Sequence, residues 1–229
     1  VQWDGDGGFD YVILQWYYIY QQNDAAIREA KRRDMGVFII SPADKGGMLY
    51  RPPEKLVELC QPLHPLVFNC LFCLAREEIH TLSLGAARPS DFDLQLSCLP
   101  QLPQAEQLIA PIDQRLQEAM HEAVGQEVAE RFMEGLPLWE ETPGLTNIGT
   151  VLWLRNLALG WDLVDYAKMR YNLLGNGGTW FQGLHAGYSR DFEIARSVAD
   201  SPFASQIPAW LEEAHKLLYA APEKRLSES

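Results

Sequence analysis

Two stretches of the chain decide its expected fold. They are Gly36-Val37-Phe38-Ile39-Ile40-Ser41-Pro42-Ala43-Asp44-Lys45-Gly46-Gly47 and Thr81-Leu82-Ser83-Leu84-Gly85-Ala86-Ala87-Arg88-Pro89-Ser90-Asp91-Phe92. Each is a short apolar run that ends in a polar turn containing glycine, as buried parallel strands do in α/β proteins. Turns at the carboxyl ends of such strands present backbone N–H groups to phosphate. The two stretches therefore predict strands whose loops hold a phosphate-bearing ligand.

The elements around these stretches alternate between strand and helix as far as Cys98. This order predicts parallel strands joined by helical crossovers, but three strands cannot close a barrel of eight. A sheet of this kind would have an open apolar edge. Strands are predicted over 9–18, 37–40 and 78–84, and helices over 23–33, 52–59, 65–74 and from Ser90 onward.

The chain changes character after residue 104. Apolar residues recur every four positions from Leu108 to Phe132 and predict one long amphipathic helix. Further helices are predicted over 148–159, 163–173 and 207–218. The apolar stripe of the long helix favours packing against the protein's own core, and docking of a partner is the alternative.

Composition narrows the classes of partner. The 229 residues carry a formal net charge of −12, which disfavours nucleic acid as a partner. No apolar run is long enough to cross a bilayer, which needs about 20 residues.

Four cysteines, Cys60, Cys70, Cys73 and Cys98, lie in or beside apolar segments. They are expected to be buried thiols rather than ligands or redox groups, which favours a reduced, cytoplasmic protein.

The two loops resemble the last two strand–loop units of the aldo/keto reductase barrel. The resemblance implies an α/β fold, in which residues 1–103 form the C-terminal part of a (β/α)8 TIM barrel, with its last three strands and their helices. Residues 104–229 resemble the helical, ferredoxin-like C-terminal extension of a subgroup of these oxidoreductases, and imply an all-α second domain. Relatives hold a [4Fe–4S] cluster there, but the stretch Gly135–Ile148 contains no cysteine, so no iron–sulfur cluster is expected.

The same resemblance implies an NADPH site. Its expected contacts are Ser41, Asp44, Lys45 and Gly46 in the first loop, and Gly85, Ala86, Arg88 and Asp91 in the second, which would hold the adenosine 2′-phosphate. The residues themselves are consistent with this, because an Arg side chain can form a two-pronged contact with phosphate. The plainer alternative is two ordinary turns with a surface Arg88 and solvated Asp44 and Lys45.

The implied chemistry is hydride transfer between NADPH and a carbonyl or alcohol substrate. The family's catalytic Asp, Tyr, Lys and His lie on its first four strands, so no catalytic residue is assigned in this chain, which begins at Val1. The chain is therefore expected to be a fragment or a truncated form that needs the missing barrel half or a partner chain. The alternatives are a non-catalytic nucleotide-binding or interaction module that pairs with another chain, and a helical interaction protein.

Overall fold

Three short parallel strands form the sheet in the first half of the chain. The computed structural model describes residues 8–86, 88–176 and 181–220. The strands are β1 (Tyr11–Leu14), β2 (Gly36–Ile40) and β3 (Thr81–Ser83), and they pair in the order β1-β2-β3. The register places Ile40 of β2 opposite Ser83 of β3. The carboxyl ends of these two strands therefore lie side by side.

Helices make up most of the remaining structure. The chain divides into two compact units, Val1–Leu116 and Gln117–Ser229, and the predicted domain boundary between residues 103 and 104 stays a prediction. Within the described ranges, no helix combines the length and the apolarity needed to cross a membrane. The α-helices are α1 (Asp24–Arg32), α2 (Glu54–Leu59), α3 (Pro65–Leu74), α4 (Asp91–Leu96), α5 (Ala105–Val124), α6 (Gln126–Arg131), α7 (Ile148–Trp161), α8 (Val164–Tyr171) and α9 (Ile207–Leu218), and the 3₁₀ helices span Leu99–Gln104, Trp139–Glu141, Pro143–Leu145, Ala186–Ser189 and Ile194–Arg196.

The predicted partial (β/α)8 TIM barrel followed by an all-α domain is wrong. About 53% of the described residues are helical, and the three-stranded sheet is not closed. Strands of a barrel are covered on both faces, whereas Tyr11 and Ile13 are 53% and 51% exposed on one face of this sheet. The fold is α-rich with a small open parallel sheet.

The covered face of the sheet packs on helices that the sequence predicted with nearly correct bounds. Val37 and Ile39 are fully buried, and they share a core with Ile27 of α1 and Cys73 of α3. Helix α3 is buried on almost every side, which explains its uniformly apolar sequence. Trp16 follows β1 and stacks on Phe72 of α3 with ring centroids 4.8 Å apart.

The first strand is shorter than predicted. It ends at Leu14 rather than near Tyr18 because the chain then turns, with hydrogen bonds between the backbones of Tyr17 and Tyr20. The predicted continuous helix from Leu108 to Phe132 is also interrupted. Gly125 adopts a positive φ of 86° and separates α5 from α6.

One buried amide connects the ends of the first two strands. Asn69 of α3 is 2% exposed and accepts a hydrogen bond from the backbone N–H of Tyr18 at 3.1 Å. Its Nδ2 donates to the backbone carbonyl of Pro42 at 3.0 Å. Backbone groups buried without a partner are costly, so this side chain satisfies two of them at once.

A cluster of aromatic and imidazole rings lies in the second unit. Tyr171 of α8 is fully buried, and its hydroxyl lies 2.7 Å from Nδ1 of His215 on α9. His185 stacks on Tyr171 with centroids 5.2 Å apart, and its Nδ1 accepts the backbone N–H of Gly187 at 3.1 Å. Tyr219 stacks on His215 at 4.6 Å. The cluster connects α8, α9 and the 3₁₀ helix Ala186–Ser189.

Replacing Asn69 by Ala is expected to lower the free energy of unfolding by about 2 kcal/mol, because the change leaves a buried carbonyl and an N–H without their partner. Urea denaturation measures the difference. The matched control is Gln126→Ala, which removes an exposed side-chain contact to Glu130 and should change the stability little. Equal stabilities of the two variants would contradict the role given to Asn69.

Acid is expected to destabilise the ring cluster of the second unit. Burial, together with the nearby His215 and Arg190, lowers the pKa of His185 to about 4. In the unfolded chain the pKa is about 6.5. Between these values the unfolded state binds a proton that the folded state excludes, so stability is lost as the pH falls from 6.5 towards 4.

The variant His185→Asn isolates this effect, because Asn keeps a hydrogen-bond acceptor near Gly187 but does not titrate. The stability lost between pH 7 and pH 5 should be smaller in this variant, by about 1 kcal/mol for a partly exposed ring. Denaturation in urea at each pH measures it. His121→Asn on α5 is the control and should keep the wild-type pH dependence; an unchanged dependence in His185→Asn would refute the assignment.

Candidate functional site

A cleft lies at the carboxyl edge of β2 and β3, where the sequence placed the phosphate-binding loops. Its volume is about 730 Å³, within the range of small-molecule sites. Both loops contribute to it. Six of the eight predicted contacts line this cleft, namely Ser41, Asp44, Gly85, Ala86, Arg88 and Asp91, and the other lining residues are Ala43, Tyr50, Arg51, Ser90 and Leu94.

The parallel register brings the two loops together. The backbone N–H of Ser41 donates to the carbonyl of Ser83 at 3.0 Å, so pairing continues one residue beyond β2. Ser41 itself has a φ of 54°, in the left-handed region that non-glycine residues seldom adopt. Backbone strain of this kind is concentrated at functional sites, because the surrounding structure must enforce it. At Ser41 it turns the chain away from the sheet and along the cleft.

The first loop folds back on itself and satisfies its own backbone. The N–H of Lys45 donates to the carbonyl of Ser41 at 3.0 Å, and the N–H of Met48 donates to that of Asp44 at 2.7 Å. A third bond of 2.7 Å joins the N–H of Leu49 to the carbonyl of Ala43. Backbone N–H groups of this loop that were predicted to face a phosphate are therefore partly used within the loop.

Two predicted contacts in this loop do not line the cleft. They are Lys45 and Gly46. A Cβ added to Gly46 would lie 2.1 Å from the carbonyl oxygen of Pro42 and 2.9 Å from Nδ2 of Asn69. Gly46 is thus required by packing of the loop against α3, rather than by approach of a ligand.

The second loop is held at the carbonyl of Gly85. This oxygen accepts hydrogen bonds from the hydroxyl of Tyr50 and from Nε2 of Gln95, the latter at 3.1 Å. Burial raises the pKa of Tyr50 above its usual range, and the carboxylate of Asp91 adds to this effect. Tyr50 is therefore a neutral donor at physiological pH. A Cβ on Gly85 would meet nothing within 4 Å, so this glycine leaves open space at the mouth of the cleft.

Arg88 is exposed but not without a partner. Its backbone N–H donates to Oδ2 of Asp91 at 3.0 Å, and its guanidinium lies 3.3 Å from Oδ1 of the same carboxylate. The side chain of Arg88 remains 78% exposed, and a guanidinium carries five N–H donors, so further donors can face a ligand. Ala87, next to it, lies outside the described residues.

The helix after this loop adds little positive field. Helix α4 has only six residues, and Ser90, where a helix was predicted to begin, makes no side-chain cap bond. Asp91 and Asp93 also place negative charge in its first turn. Any phosphate bound here would depend on arginine rather than on the helix dipole.

Three residues of the site were missed by the sequence analysis: Tyr50, Arg51 and Gln95. Tyr50 and Arg51 follow the Gly46-Gly47 turn and come back to the cleft through the fold of the loop. Gln95 is 1% exposed and lies on the inner side of α4. The available signal for Gln95 was a polar residue at a helical spacing from Asp91 and Phe92, which alone does not predict burial.

The residues present fit one part of NADPH better than another. Arg51 and Arg88 line the same cleft, and two guanidinium groups suit a phosphate monoester such as the adenosine 2′-phosphate. The first loop fits the pyrophosphate less well, since its amides are partly used within the turn. Asp44 and Asp91 also line the cleft and partly balance the two arginines.

None of the four cysteines lines the cleft. All four are free and buried, as predicted. Burial raises the pKa of Cys60 to about 12, so this thiol is protonated at neutral pH. Within residues 8–86, 88–176 and 181–220, no group of three or more His, Cys, Asp or Glu side chains is arranged to hold a metal ion.

Comparison of the chain with models of protein families, with curated proteins and with solved structures found no match. The resemblance to aldo/keto reductases therefore stays a prediction.

Replacing Tyr50 by Phe should loosen the second loop, because the carbonyl of Gly85 then keeps only Gln95 as a donor. We expect a loss of about 1 kcal/mol in the free energy of unfolding, measured in urea. Tyr11→Phe is the control, since Tyr11 is 53% exposed on the open face of the sheet and its variant should match the wild type. A Tyr50→Phe variant as stable as the wild type would show that Gln95 alone holds the loop.

Proposed function

We propose that the cleft binds the phosphate-bearing end of NADPH, and that the chain supplies a cofactor site to an oxidoreductase of the aldo/keto reductase type. The overturned barrel fold gives this proposal no support. What supports it is one observation: Arg88, Arg51 and the open space at Gly85 share a single cleft of about 730 Å³. This is where the two loops were predicted to meet the cofactor.

The roles of the residues follow from their positions. The guanidinium groups of Arg88 and Arg51 would hold the adenosine 2′-phosphate, with Asp91 fixing the orientation of Arg88. The hydroxyl of Ser41, at the strained end of β2, would donate to a second phosphate oxygen. Tyr50 and Gln95 position the loop through Gly85 and are not assigned contact with the ligand.

Bound NADPH would supply hydride to a small carbonyl substrate or accept it from an alcohol. No side chain of this chain is assigned as the proton donor for that reaction. The substrate class and a cytoplasmic location belong to the proposal, and the predicted dependence on another chain for catalysis is part of it.

The Arg88→Gln variant tests the site directly. The probes are adenosine 2′,5′-bisphosphate, which carries the 2′-phosphate, and adenosine 5′-monophosphate, which lacks it, both titrated calorimetrically into the full chain. Arg88→Gln should weaken binding of the bisphosphate by about tenfold or more, because a charge-assisted contact is lost, and should leave the monophosphate unchanged.

Arg32→Gln is the matched control, since Arg32 is 67% exposed on α1 and pairs with Glu29 outside the cleft. Its affinities should equal those of the wild type. Failure of the wild-type chain to bind both the bisphosphate and NADPH at millimolar concentration would overturn the proposal. Equal affinity of the wild-type chain for the bisphosphate and the monophosphate would also contradict the assignment of Arg88 and Arg51 to the 2′-phosphate.

A further inference from the structure

A second cavity lies in the second unit, beside the ring cluster. It measures about 370 Å³ and is bounded by the segment from Ala186 to Ile194 on one side and by α9 on the other. Its size is within the range of sites for small ligands. No residue of the proposed NADPH site lines this cavity, because all of its lining residues belong to the second unit.

The polar lining of the cavity includes an imidazole, and the hydroxyl of a neighbouring tyrosine determines which of its ring nitrogens carries the proton. His215 lines the cavity, and its Nδ1 lies 2.7 Å from the hydroxyl of Tyr171. Tyr171 is fully buried, and Nδ1 of His215 is the one acceptor that its hydroxyl reaches among the described residues, so we assign the phenol proton to this bond. The neutral imidazole then carries its own proton on Nε2, which is a hydrogen-bond donor.

The imidazole packing depends on one glycine. A Cβ on Gly187 would lie 2.6 Å from Cε1 of His215 and 2.8 Å from Cε1 of His185. Any larger residue would push both rings away. Since the half-buried His185 is also neutral at pH 7, the cluster is an arrangement of uncharged rings packed against one another.

A guanidinium group also lines this cavity. Arg190 lines the cavity, and among the described residues it forms no ion pair. It lies close enough to lower the pKa of His215, after the larger effect of burial. Glu212, the acidic residue of the lining, pairs with Lys216 at 2.7 Å, and the charge of Arg190 also contributes to lowering the pKa of Glu212. Arg190, Glu212 and Lys216 together carry a net charge of +1, so the positive charge of Arg190 is only partly balanced.

The rest of the lining is largely apolar and comes from both sides of the cavity. It includes Phe192 and Ile194 from the first segment, and Pro208 and Leu211 from α9. Ile194 and Leu211 are 6% and 4% exposed and belong to the folded core, whereas Phe192 is 52% exposed. A ligand complementary to the polar and the apolar lining residues has an anionic head and a compact apolar body.

We propose that this cavity binds a small aromatic or alicyclic monocarboxylate. The carboxylate would be held by the guanidinium of Arg190 and by Nε2–H of His215, and the ring would lie on Phe192, Ile194 and Leu211. Tyr171 acts as a positioning residue, since it fixes the imidazole proton but lines no part of the cavity.

The test compares three probes of nearly equal shape on the full chain: benzoate, benzamide and benzylamine. Binding is followed by the ¹H–¹³C resonance of His215 Cε1 during titration at pH 7. Benzoate should shift this resonance and saturate, with at least about tenfold higher affinity than benzamide, because only benzoate makes a charge-assisted contact. Benzylamine should not bind.

The Arg190→Gln variant should lower the affinity for benzoate by about tenfold, whereas Arg196→Gln should not change it. Arg196 is the matched control because it lies on the neighbouring 3₁₀ helix, is 84% exposed and already pairs with Glu193. Arg190 is exposed, so its variant is expected to fold. Equal affinities for benzoate and benzamide, preferred binding of benzylamine, or an unchanged affinity in Arg190→Gln would each overturn the proposal.

Discussion

The amide of Asn69 holds the candidate site in place. The chain leaves β1 at Leu14 and β2 at Ile40, and the loops after these strands carry backbone groups that are buried against α3 and have no strand partner. One side chain of α3 satisfies both, at Tyr18 and at Pro42. Because Gly46 packs against this same carbonyl and this same amide, the whole first loop is positioned from beneath. Ser41 has a strained, positive φ at the point where this loop turns into the cleft.

The outcome for the fold shows what apolar patterning can and cannot decide. Most helix bounds were predictable, since Pro65 and the break at Gly36 are strong local signals. The barrel was not, because a run such as Gly36–Ile40 has the same sequence whether its strand is covered on one face or on two. The structure shows that this sheet is covered on one face only, because Tyr11, Ile13 and Phe38 lie exposed on the other face. The break at Gly125 was visible as a glycine, but a glycine within a helical pattern is often tolerated.

The candidate site was likewise predictable only in part. Adjacency of the two loops was predictable, because parallel neighbours bring their carboxyl ends to one edge. The inward turn of Gly46 and the return of Tyr50 and Arg51 to the cleft were not, since both follow from how the loop closes its own hydrogen bonds. Gln95 could not be found for a related reason: a helix of six residues gives too little periodicity to separate its inner face from its outer one.

Charge gives a further constraint on any ligand of this cleft. With a net charge of −12, the protein as a whole repels a phosphate, but salt confines that repulsion to about 8–10 Å. Binding therefore depends on contacts at short range, where Arg88 and Arg51 act against Asp44 and Asp91. The pairing of Arg88 with Asp91 has two opposing effects: it orders the guanidinium before a ligand arrives, and it places a negative charge beside the phosphate. A phosphate that replaces part of the Arg88–Asp91 contact gains only the difference between its own interaction with Arg88 and the interaction of Asp91 with Arg88. Whether the cleft holds an anion therefore depends on Arg51.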